Sequence, residues 1–213
     1  MNREFFTQDA LHVAPKLLGS QFSVDSAEGM VTLRITEVEA YMGVGAHGPY
    51  DPGSHSKDRR TERNASMFLE PGHAYVYFSY GMHYAINFVC SPAGSASGVL
   101  IRAGEIIEGS EIAQQRRLRK RQGSGTRIPG RQLARGPGNV AQSLGVTRIE
   151  HDGLDLFSSP FSLQSPLDYP AQICIGPRVG VAGVAGGSEF PWRFWLPGDP
   201  TVSAFRRGRN APV

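Results

Sequence analysis

The stretch YVYFSYGMHYAINF, residues 75–88, holds four tyrosines, a glycine and an asparagine. Its aromatic and β-branched residues alternate with smaller or polar ones, which is the two-residue period of strands. Gly81 interrupts this alternation near the middle, and a residue that tolerates left-handed backbone angles favours a tight turn there. The stretch therefore predicts a β-hairpin with Tyr80 at its tip.

The length of the hairpin loop decides which side chains share a face. A three-residue loop with a left-handed glycine places Ser79 opposite His83, and Tyr75 near Asn87 on one surface. A two-residue loop sends Asn87 to the other side. The sequence leaves both loops open. An exposed Tyr80 at the tip of a chain with arginine-rich stretches suggests a wedge into a stack of bases, but this stretch alone favours aromatic packing in the core.

Other alternating segments extend the hairpin into a larger sheet. MVTLRITEVEAYMG (30–43) and GVLIRAGEI (98–106) are rich in β-branched residues and predict strands. A helix is predicted over 106–121, but the 26 glycines and 15 prolines predict many loops and few long helices. A chain of 213 residues is long enough for a substantial core, and we expect one domain, residues 1–213.

Basic residues are concentrated in two parts of the chain, although the net charge is only +3. Residues 113–135 contain eight Lys or Arg and no acidic residue. A second cluster consists of Lys57, Arg59, Arg60 and Arg63. Such clusters are either solvated, mobile faces or surfaces that bind phosphates, and the charge pattern alone favours neither.

Metal and nucleotide cofactors are not expected. His47, His55, His73 and His83 lack the close spacing of metal ligands, and the two cysteines do not form a pair of ligands. The segment GVAGVAGG, residues 180–187, lacks the GxGxxG order and the strand–helix context of a dinucleotide site. The sequence therefore predicts chemistry carried out by side chains alone.

The composition also argues against membrane and secreted proteins. No apolar run approaches the roughly 18 residues that a membrane span needs. The N-terminal segment carries an early acidic residue and no uninterrupted apolar stretch, unlike a signal peptide. Cys90 and Cys174 lie in apolar surroundings and are expected to be reduced thiols.

The segment ITEVEAY, residues 35–41, places two carboxylates on one face of a strand. Because side chains alternate along a strand, Glu37 and Glu39 share that face with Tyr41. Such a pair is most often a solvated surface, and the alternative is that one carboxylate faces a cleft as a general base. His55 has the same ambiguity, since a loop histidine is either a surface residue or part of a site.

Eight segments taken together resemble the alkyladenine (3-methyladenine) DNA glycosylase family of base-excision repair. They are ITEVEAYMG, DPGSHS, TERNASMF, PGHAYVYFSYGMHYAINFVC, GVLIRAGEI, GPGNVAQSLG, GPRVGV and PWRFWLPGDPTVS. They run in the family's order from about residue 18 to residue 203. The resemblance implies a mixed α/β (α+β) domain with a curved antiparallel sheet, a protruding β-hairpin and flanking helices.

The resemblance also implies an activity. A monofunctional purine-lesion glycosylase flips an alkylated or deaminated purine out of duplex DNA and hydrolyses its N-glycosidic bond, leaving an abasic site. Glu39, rather than Glu37, would activate the attacking water. Arg102 would help to position the water or the sugar-phosphate, assisted by backbone near Val181. The family uses no cofactor and no metal.

Further roles are implied around the base and along the DNA. The base pocket would consist of Tyr41, His55, Tyr77, Asn87 and Val181. The DNA contacts would be Tyr80 and Met82, inserted into the base stack, and Arg59, Arg60, Arg63 and Asn139 on the backbone. Asn87 would disfavour guanine by clashing with its 2-amino group, and Asn139 stands where the family commonly has lysine. The loop after Tyr41 is longer than usual in the family, so His47 is an alternative to His55.

Two other functions stay open from the residues alone. A nucleic-acid-binding module would use the hairpin and the basic stretches but not Glu39. A glycosidase of soluble sugars would need both Glu37 and Glu39 across the bond. The glycosylase interpretation predicts damaged double-stranded DNA as the partner, a monomer without membrane contact, and a location in the cytoplasm or nucleoid of a bacterium or the nucleus of a eukaryote. The sequence does not rank 3-methyladenine, 7-methylguanine, hypoxanthine and ethenoadenine as substrates.

Overall fold

The computed structural model describes residues 1–79, 81–119 and 126–212. Within them, one antiparallel sheet is formed by β1 (Gln21–Val24), β2 (Val31–Met42), β3 (Ala74–Ser79), β4 (His83–Val89), β5 (Ser97–Glu108), β6 (Ala134–Arg135), β7 (Phe161–Gln164), β8 (Cys174–Gly176) and β9 (Arg193–Trp195). The α-helices are α1 (Ala10–Val13), α2 (Ser110–Arg119), α3 (Gly130–Leu133), α4 (Pro137–Leu144) and α5 (Arg148–His151). None of these described helices combines the length and the apolar character that crossing a membrane requires. The predicted mixed α/β class is confirmed.

Two long strands, β2 and β5, form the centre of the sheet, whose order is β3-β4-β5-β2-β1-β7. The other edge of β2 pairs with β1 along its first residues and with β9 at residues 37–39. The pairing between β2 and β5 shifts register between Ile35 and Val38, and such irregularities redirect side chains. The predicted carboxylates therefore lie where β2, β5 and β9 meet.

β3 and β4 form the predicted hairpin, and their register decides the loop length. Ser79 lies opposite His83, and Tyr75 lies opposite Asn87. Gly81 has a φ of +65°, in the left-handed region that a three-residue loop requires. The three-residue alternative is confirmed and the two-residue alternative is wrong.

Apolar side chains between the sheet and the helices form the main core. Phe22, Val38 and Phe88 are fully buried there, and Leu144 of α4 packs into the same cluster. Burial of apolar surface, worth about 25 cal/mol per Å², is the dominant favourable term in folding. A second, smaller cluster includes Tyr75 and supports the hairpin. The hairpin is therefore anchored through its own buried side chains.

The helix predicted over 106–121 begins later than expected. β5 continues to Glu108, which pairs with β2, and α2 begins at Ser110. Gly109 separates the two elements with a φ of +73°, and a Cβ on it would lie 2.3 Å from the carbonyl oxygen of Met30. Strand pairing therefore overrides the local preference for a helix. The last two residues of the prediction lie outside the described part of the chain.

Two arginines of the basic stretch 113–135 belong to the folded interior. Arg116 and Arg117 are only 8% and 6% exposed. Arg116 Nε donates to Glu28 at 2.7 Å, and Arg117 donates to the carbonyl of Leu133 at 2.7 Å. Both interpretations of the charge pattern are wrong for these two residues, because their guanidinium groups join chain segments within the protein.

Candidate active site

A cavity of about 660 Å³ opens beside the hairpin. The residues predicted for catalysis and for the base pocket all line it: Glu39, Tyr41, His55, Tyr77, Asn87, Arg102 and Val181. They come from β2, β3, β4, β5 and two loops, so only the fold brings them together. Among the described residues, no group of three or more His, Cys, Asp or Glu side chains is arranged to hold a metal ion.

Glu39 lies on β2 and borders the cavity, although its side chain has no exposed surface. Its Oε1 accepts a hydrogen bond from the backbone N–H of Val179 at 2.7 Å. Its Oε2 accepts one from the Tyr41 hydroxyl at 2.9 Å. Two donors from different segments fix the orientation of the carboxylate, and each oxygen can accept a further hydrogen bond. Glu39 can therefore also bind a water molecule in the cavity.

Glu37 is equally buried, but the protein itself supplies the partners of its carboxylate. Arg193 Nε donates to its Oε1 at 2.6 Å, and the Ser203 hydroxyl donates to the same oxygen at 2.9 Å. The backbone N–H of Ser203 donates to its Oε2 at 2.7 Å. Glu37 does not line the cavity. The solvated-face interpretation is wrong for both glutamates, and only Glu39 faces a space that a ligand can enter.

Arg102 on β5 links the two carboxylates. Its Nε lies 3.2 Å from Oε1 of Glu37 and 3.5 Å from Oε1 of Glu39, and it donates to the Ser203 hydroxyl at 3.1 Å. Burial by itself lowers the pKa of Arg102, but the charges of Glu39 and Glu37 outweigh it and raise the pKa overall. The site therefore holds a permanent positive charge beside the candidate base.

Tyr41 connects Glu39 to a buried cation that the sequence interpretation missed. Arg178 has no exposed surface, and its guanidinium carbon lies 4.5 Å from the centre of the Tyr41 ring. Burial, and then the charge of Glu39, raise the pKa of the Tyr41 hydroxyl well above its ordinary value. The hydroxyl therefore stays protonated at neutral pH and remains a donor to Glu39.

Arg178 is held by Asp51 in a two-point ion pair, with distances of 2.6 and 2.7 Å. Burial alone lowers the pKa of Arg178, but the hydrogen bond to Asp51 and the negative charges around the guanidinium together outweigh burial, and the pKa is raised. Arg178 also donates to the carbonyls of Ala40 and Ala185 at 3.1 Å. The sequence signal for this ion pair was the charged Arg178 within the otherwise apolar segment GPRVGV. Such an arginine is expected to be buried only with an acidic partner.

An aromatic cluster lines the side of the cavity formed by the hairpin. The rings of Tyr75 and Tyr77 stack with centres 5.4 Å apart, and the His55 ring meets Tyr77 edge-on at 4.6 Å. Burial raises the pKa of the Tyr75 hydroxyl, which lies 3.3 Å from Nδ1 of His55. The ring faces of this cluster give a planar, apolar ligand a surface on which to stack.

His55, and not His47, borders this cavity. His47 is exposed and lines a separate depression with Asp9 and His12. Although His55 keeps some exposed surface, burial against its neighbours lowers its pKa, and the charge of Arg63 lowers it further. The His55 side chain is therefore neutral at pH 7.

Asn87 of β4 is buried beneath the same cluster and is 4% exposed. Its Nδ2 donates to the carbonyl of Tyr75 at 3.1 Å, across the hairpin. This hydrogen bond fixes the amide plane at the edge of the cavity. The confirmed three-residue loop is what brings Asn87 to the face of Tyr75.

The residues predicted to contact DNA differ in their relation to the cavity. Tyr80 lies outside the described residues, and Met82 is 58% exposed and does not line the cavity. Arg59 and Arg60 are exposed, whereas Arg63 borders the cavity.

Asn139 lies in the first turn of α4, and its Nδ2 donates to the carbonyl of Arg135 at 2.6 Å. Pro137, the first residue of α4, lines the cavity. The N-terminal end of α4 therefore borders the cavity, and the Asn139 amide is partly occupied within the protein. Its predicted contact with DNA stays a prediction.

Comparisons with known proteins identify the family. Residues 4–200 match the family model described as Methylpurine-DNA glycosylase (MPG). The chain is 51% identical over 205 residues to a protein of Leifsonia xyli subsp. xyli, covering 96% of this chain and 92% of that protein. It is 48% identical over 210 residues to a protein of Streptomyces avermitilis, covering 97% and 92%. A Mycobacterium leprae protein is 40% identical over 206 residues, covering 96% and 89%. All three carry the name "Putative 3-methyladenine DNA glycosylase". The chain therefore belongs to the methylpurine-DNA glycosylase family, which confirms the predicted family and the predicted enzyme class, a hydrolase of N-glycosyl bonds.

Proposed function

We propose that this chain releases alkylated or deaminated purines from duplex DNA, using a water molecule activated by Glu39. The observation that carries the proposal is the buried Glu39 carboxylate, which Val179 and Tyr41 orient beside a cavity lined with aromatic rings. The family assignment and the name of the relatives support purine lesions in DNA as the substrate class.

In the proposed reaction, water attacks C1′ of the extruded nucleotide and the C1′–N bond breaks. The base leaves with the bonding electron pair, and the proton of the water passes to Glu39. The transition state resembles an oxocarbenium ion, whose positive charge the carboxylate stabilises. Arg102, which lies 3.5 Å from Glu39, holds the carboxylate and orients the sugar-phosphate. The Glu39 carboxylate therefore both accepts the proton of the water and stabilises the oxocarbenium-like transition state.

The aromatic cluster supplies the binding energy for the base. A cavity of about 660 Å³ is within the usual range for a ligand of nucleotide size. Stacking of a base on an aromatic side chain contributes about 1–3 kcal/mol, which offsets the few kcal/mol that extrusion costs. N3- and N7-alkylated purines carry positive charge and favour the electron-rich faces of Tyr41 and Tyr77. Asn87 disfavours guanine through its 2-amino group.

The contacts of Glu37 argue against a glycosidase of soluble sugars. That class uses two carboxylates on either side of the scissile bond. Glu37 is held by Arg193 and Ser203 and does not line the cavity. A non-catalytic binding module would gain nothing from Glu39, because burying a carboxylate costs free energy. The glycosylase is the function that uses the whole site.

The remaining parts of the proposal concern DNA. Tyr80 and Met82 would enter the base stack from the hairpin tip, and Arg59, Arg60, Arg63 and Asn139 would contact the backbone. The protein would act as a monomer. The relatives come from bacteria, which supports a location in the cytoplasm or nucleoid with the chromosome.

Base release from a duplex oligonucleotide tests the proposal. Separate duplexes carry ethenoadenine, hypoxanthine or a methylated purine, and heat with alkali cleaves the DNA at abasic sites. We expect release by the wild type and a rate about 10²–10⁴-fold lower for Glu39→Gln, which is the usual contribution of a general base. Glu4→Gln, a change at an exposed residue of the 3-10 helix Arg3–Thr7, should keep the wild-type rate.

Three outcomes lead to different conclusions. Release by the wild type alone supports both the activity and the role of Glu39. Full activity of Glu39→Gln would leave the glycosylase assignment standing and refute the role of Glu39. If neither protein released any lesion but both bound DNA tightly, the chain would act as a binding module.

A further inference from the structure

The C-terminal segment 203–212, here called the strap, lies along the loop 179–187 that borders the cavity. The N–H of Gly180 donates to the carbonyl of Arg206 at 2.8 Å, and the N–H of Gly183 donates to the carbonyl of Arg209 at 2.9 Å. Gly180 lines the cavity. The match to the family model ends at residue 200, so the family assignment gives the strap no role.

The backbone of the strap packs closely against the loop 179–187. A Cβ on Gly208 would lie 1.8 Å from the carbonyl oxygen of Val181, so only glycine fits there. A Cβ on Gly186 would lie 3.1 Å from the side chain of Ala211. The backbones of the strap and the loop are therefore in direct contact. This contact fixes the backbone positions from which the side chains of the strap extend.

Three arginines on the strap carry charge that the protein does not neutralise. Arg206, Arg207 and Arg209 are exposed, and their guanidinium groups form no ion pair or hydrogen bond with any residue that the structure describes. Arg119, which is also exposed, differs from them because it is paired with Glu28 at 2.6 Å. No acidic residue follows Asp199 in the sequence. The strap therefore carries an uncompensated positive patch, and one of its arginines, Arg206, is bonded through its backbone carbonyl to Gly180 of the cavity wall.

We propose that Arg206, Arg207 and Arg209 form a phosphate-binding edge that holds the DNA backbone beside the extruded nucleotide. This inference rests on the proposed function, because a base inside the cavity brings its flanking phosphates to the rim. The guanidinium group is always charged and matches phosphate oxygens with two parallel donors. The carbonyl of Arg206 accepts a hydrogen bond from the N–H of Gly180, which lines the cavity. The Arg206 side chain therefore extends from a backbone position next to the cavity wall.

Salt dependence of binding tests the proposal directly. The probe is a duplex with a tetrahydrofuran analogue of an abasic site, which has no base to release, and binding is followed by fluorescence anisotropy between about 50 and 200 mM salt. Each neutralised phosphate adds about 0.9 to the slope of log K against log salt. We expect each single Arg→Gln change on the strap to lower the slope by about that amount, and the triple change to lower it by about three times as much.

Two matched variants separate phosphate contact from a general loss of charge. Lys16→Gln removes the same charge from the 3-10 helix Ala14–Leu17, which does not line the cavity, and should leave the slope unchanged. Arg206→Lys keeps the charge and should keep the slope of the wild type. An unchanged slope in the triple variant, or an equal loss in Lys16→Gln, would overturn the proposal.

Base release by the wild type, measured in parallel, distinguishes this proposal from the proposed function. If the wild type releases the lesion but the triple variant keeps the full slope, the strap proposal fails and the glycosylase stands. If the slope depends on the strap arginines but no lesion is released, the chemistry assigned to Glu39 fails and the phosphate-binding edge stands.

Discussion

Glu37 and Glu39 have the same side chain and the same burial, but their hydrogen-bond partners give them different tasks. Glu37 accepts hydrogen bonds from Arg193 and from the backbone N–H and the hydroxyl of Ser203. It therefore fixes the first residue of the strap. Among the described residues, Glu39 accepts hydrogen bonds from Val179 and Tyr41, lies 3.5 Å from Nε of Arg102 and borders the cavity. At this scale, the function of a carboxylate is decided by the donors that surround it.

The pKa of His55 gives a test at the level of one residue. Burial, and secondly the charge of Arg63, lower this pKa below the ordinary value of 6.5. The unfolded chain therefore binds the proton more readily, so the stability that neutral His55 contributes is present above pH 6.5. It is lost as the pH falls from 6.5 through the lowered pKa. We expect an NMR titration of the ring to show a midpoint below 6.5.

Variants separate the two causes of the shift. Arg63→Gln should raise the His55 midpoint but leave it below 6.5, because burial is the larger cause. Arg60→Gln removes an arginine whose guanidinium lies over Phe68 and should not move the midpoint. A wild-type midpoint at or above 6.5 would contradict the environment described for His55.

Among the elements, the hairpin is the one whose geometry the sequence predicts in most detail. Alternation along β3 and β4 defines the two faces, and a left-handed glycine defines a three-residue loop. The observed register pairs Tyr75 with Asn87 as that loop requires. Hairpin contacts are close in sequence, so local rules narrow the loop to two lengths, and the observed register selects the three-residue one.

Substitution of Gly81 tests how much the loop depends on its backbone. A Cβ at this position meets no atom within 4 Å, so only the φ of +65° opposes a side chain. We expect Gly81→Ala to lower the free energy of unfolding by about 1–2 kcal/mol, measured by urea denaturation. Gly81→Asn should cost less, because asparagine adopts left-handed angles more readily. Equal stability of the glycine and alanine proteins would refute this explanation of the loop.

The start of α2 shows the limit of local rules at the same scale. Residues 106–108 have a local pattern compatible with a helix, yet they extend β5. Their partners lie on β2, far away in sequence, and the pairing overrides the local preference. Similarly, Arg116 and Arg119 of α2 find their acidic partner in Glu28, outside the basic stretch.

For the whole molecule, the pair of Arg178 and Asp51 joins three segments that line the site. Arg178 donates to the carbonyl of Ala40 on β2 and to Asp51 on the loop that carries His55. It also donates to the carbonyl of Ala185, in the loop 179–187 that contacts the strap. These three segments line the cavity. The pair therefore couples the shape of the site to the stability of the fold.

Removal of one partner should be costly. We expect Arg178→Met to lower the free energy of unfolding by about 3–5 kcal/mol in urea denaturation, because Asp51 would remain buried with its charge uncompensated. Arg178→Met combined with Asp51→Leu should recover part of that loss.

An exposed pair provides the control for this experiment. Arg127 and Glu111 lie 2.6 Å apart with side chains 73% and 67% exposed, and Arg127→Met should cost about 1 kcal/mol or less. A loss for Arg178→Met no larger than for Arg127→Met would contradict the role assigned to the buried pair.

The sequence by itself determined the family, the mixed α/β class and the hairpin, and for catalysis and the base pocket it named seven residues that line the cavity in the structure. Strand alternation and turn chemistry act over a few residues, and the family's motifs are read directly from the chain. The single domain, the monomer and the individual site roles stay predictions.

The family resemblance names Glu39 rather than Glu37, but only the tertiary structure decided which groups hold each carboxylate and which carboxylate borders the cavity. Val179 meets Glu39 from 140 residues away, and Ser203 meets Glu37 from 166 residues away. Arg178 and the strap acquire their places beside the cavity in the same way. Hydrogen bonds and ion pairs between such distant segments form only when the whole chain packs, so no local pattern in the sequence encodes them.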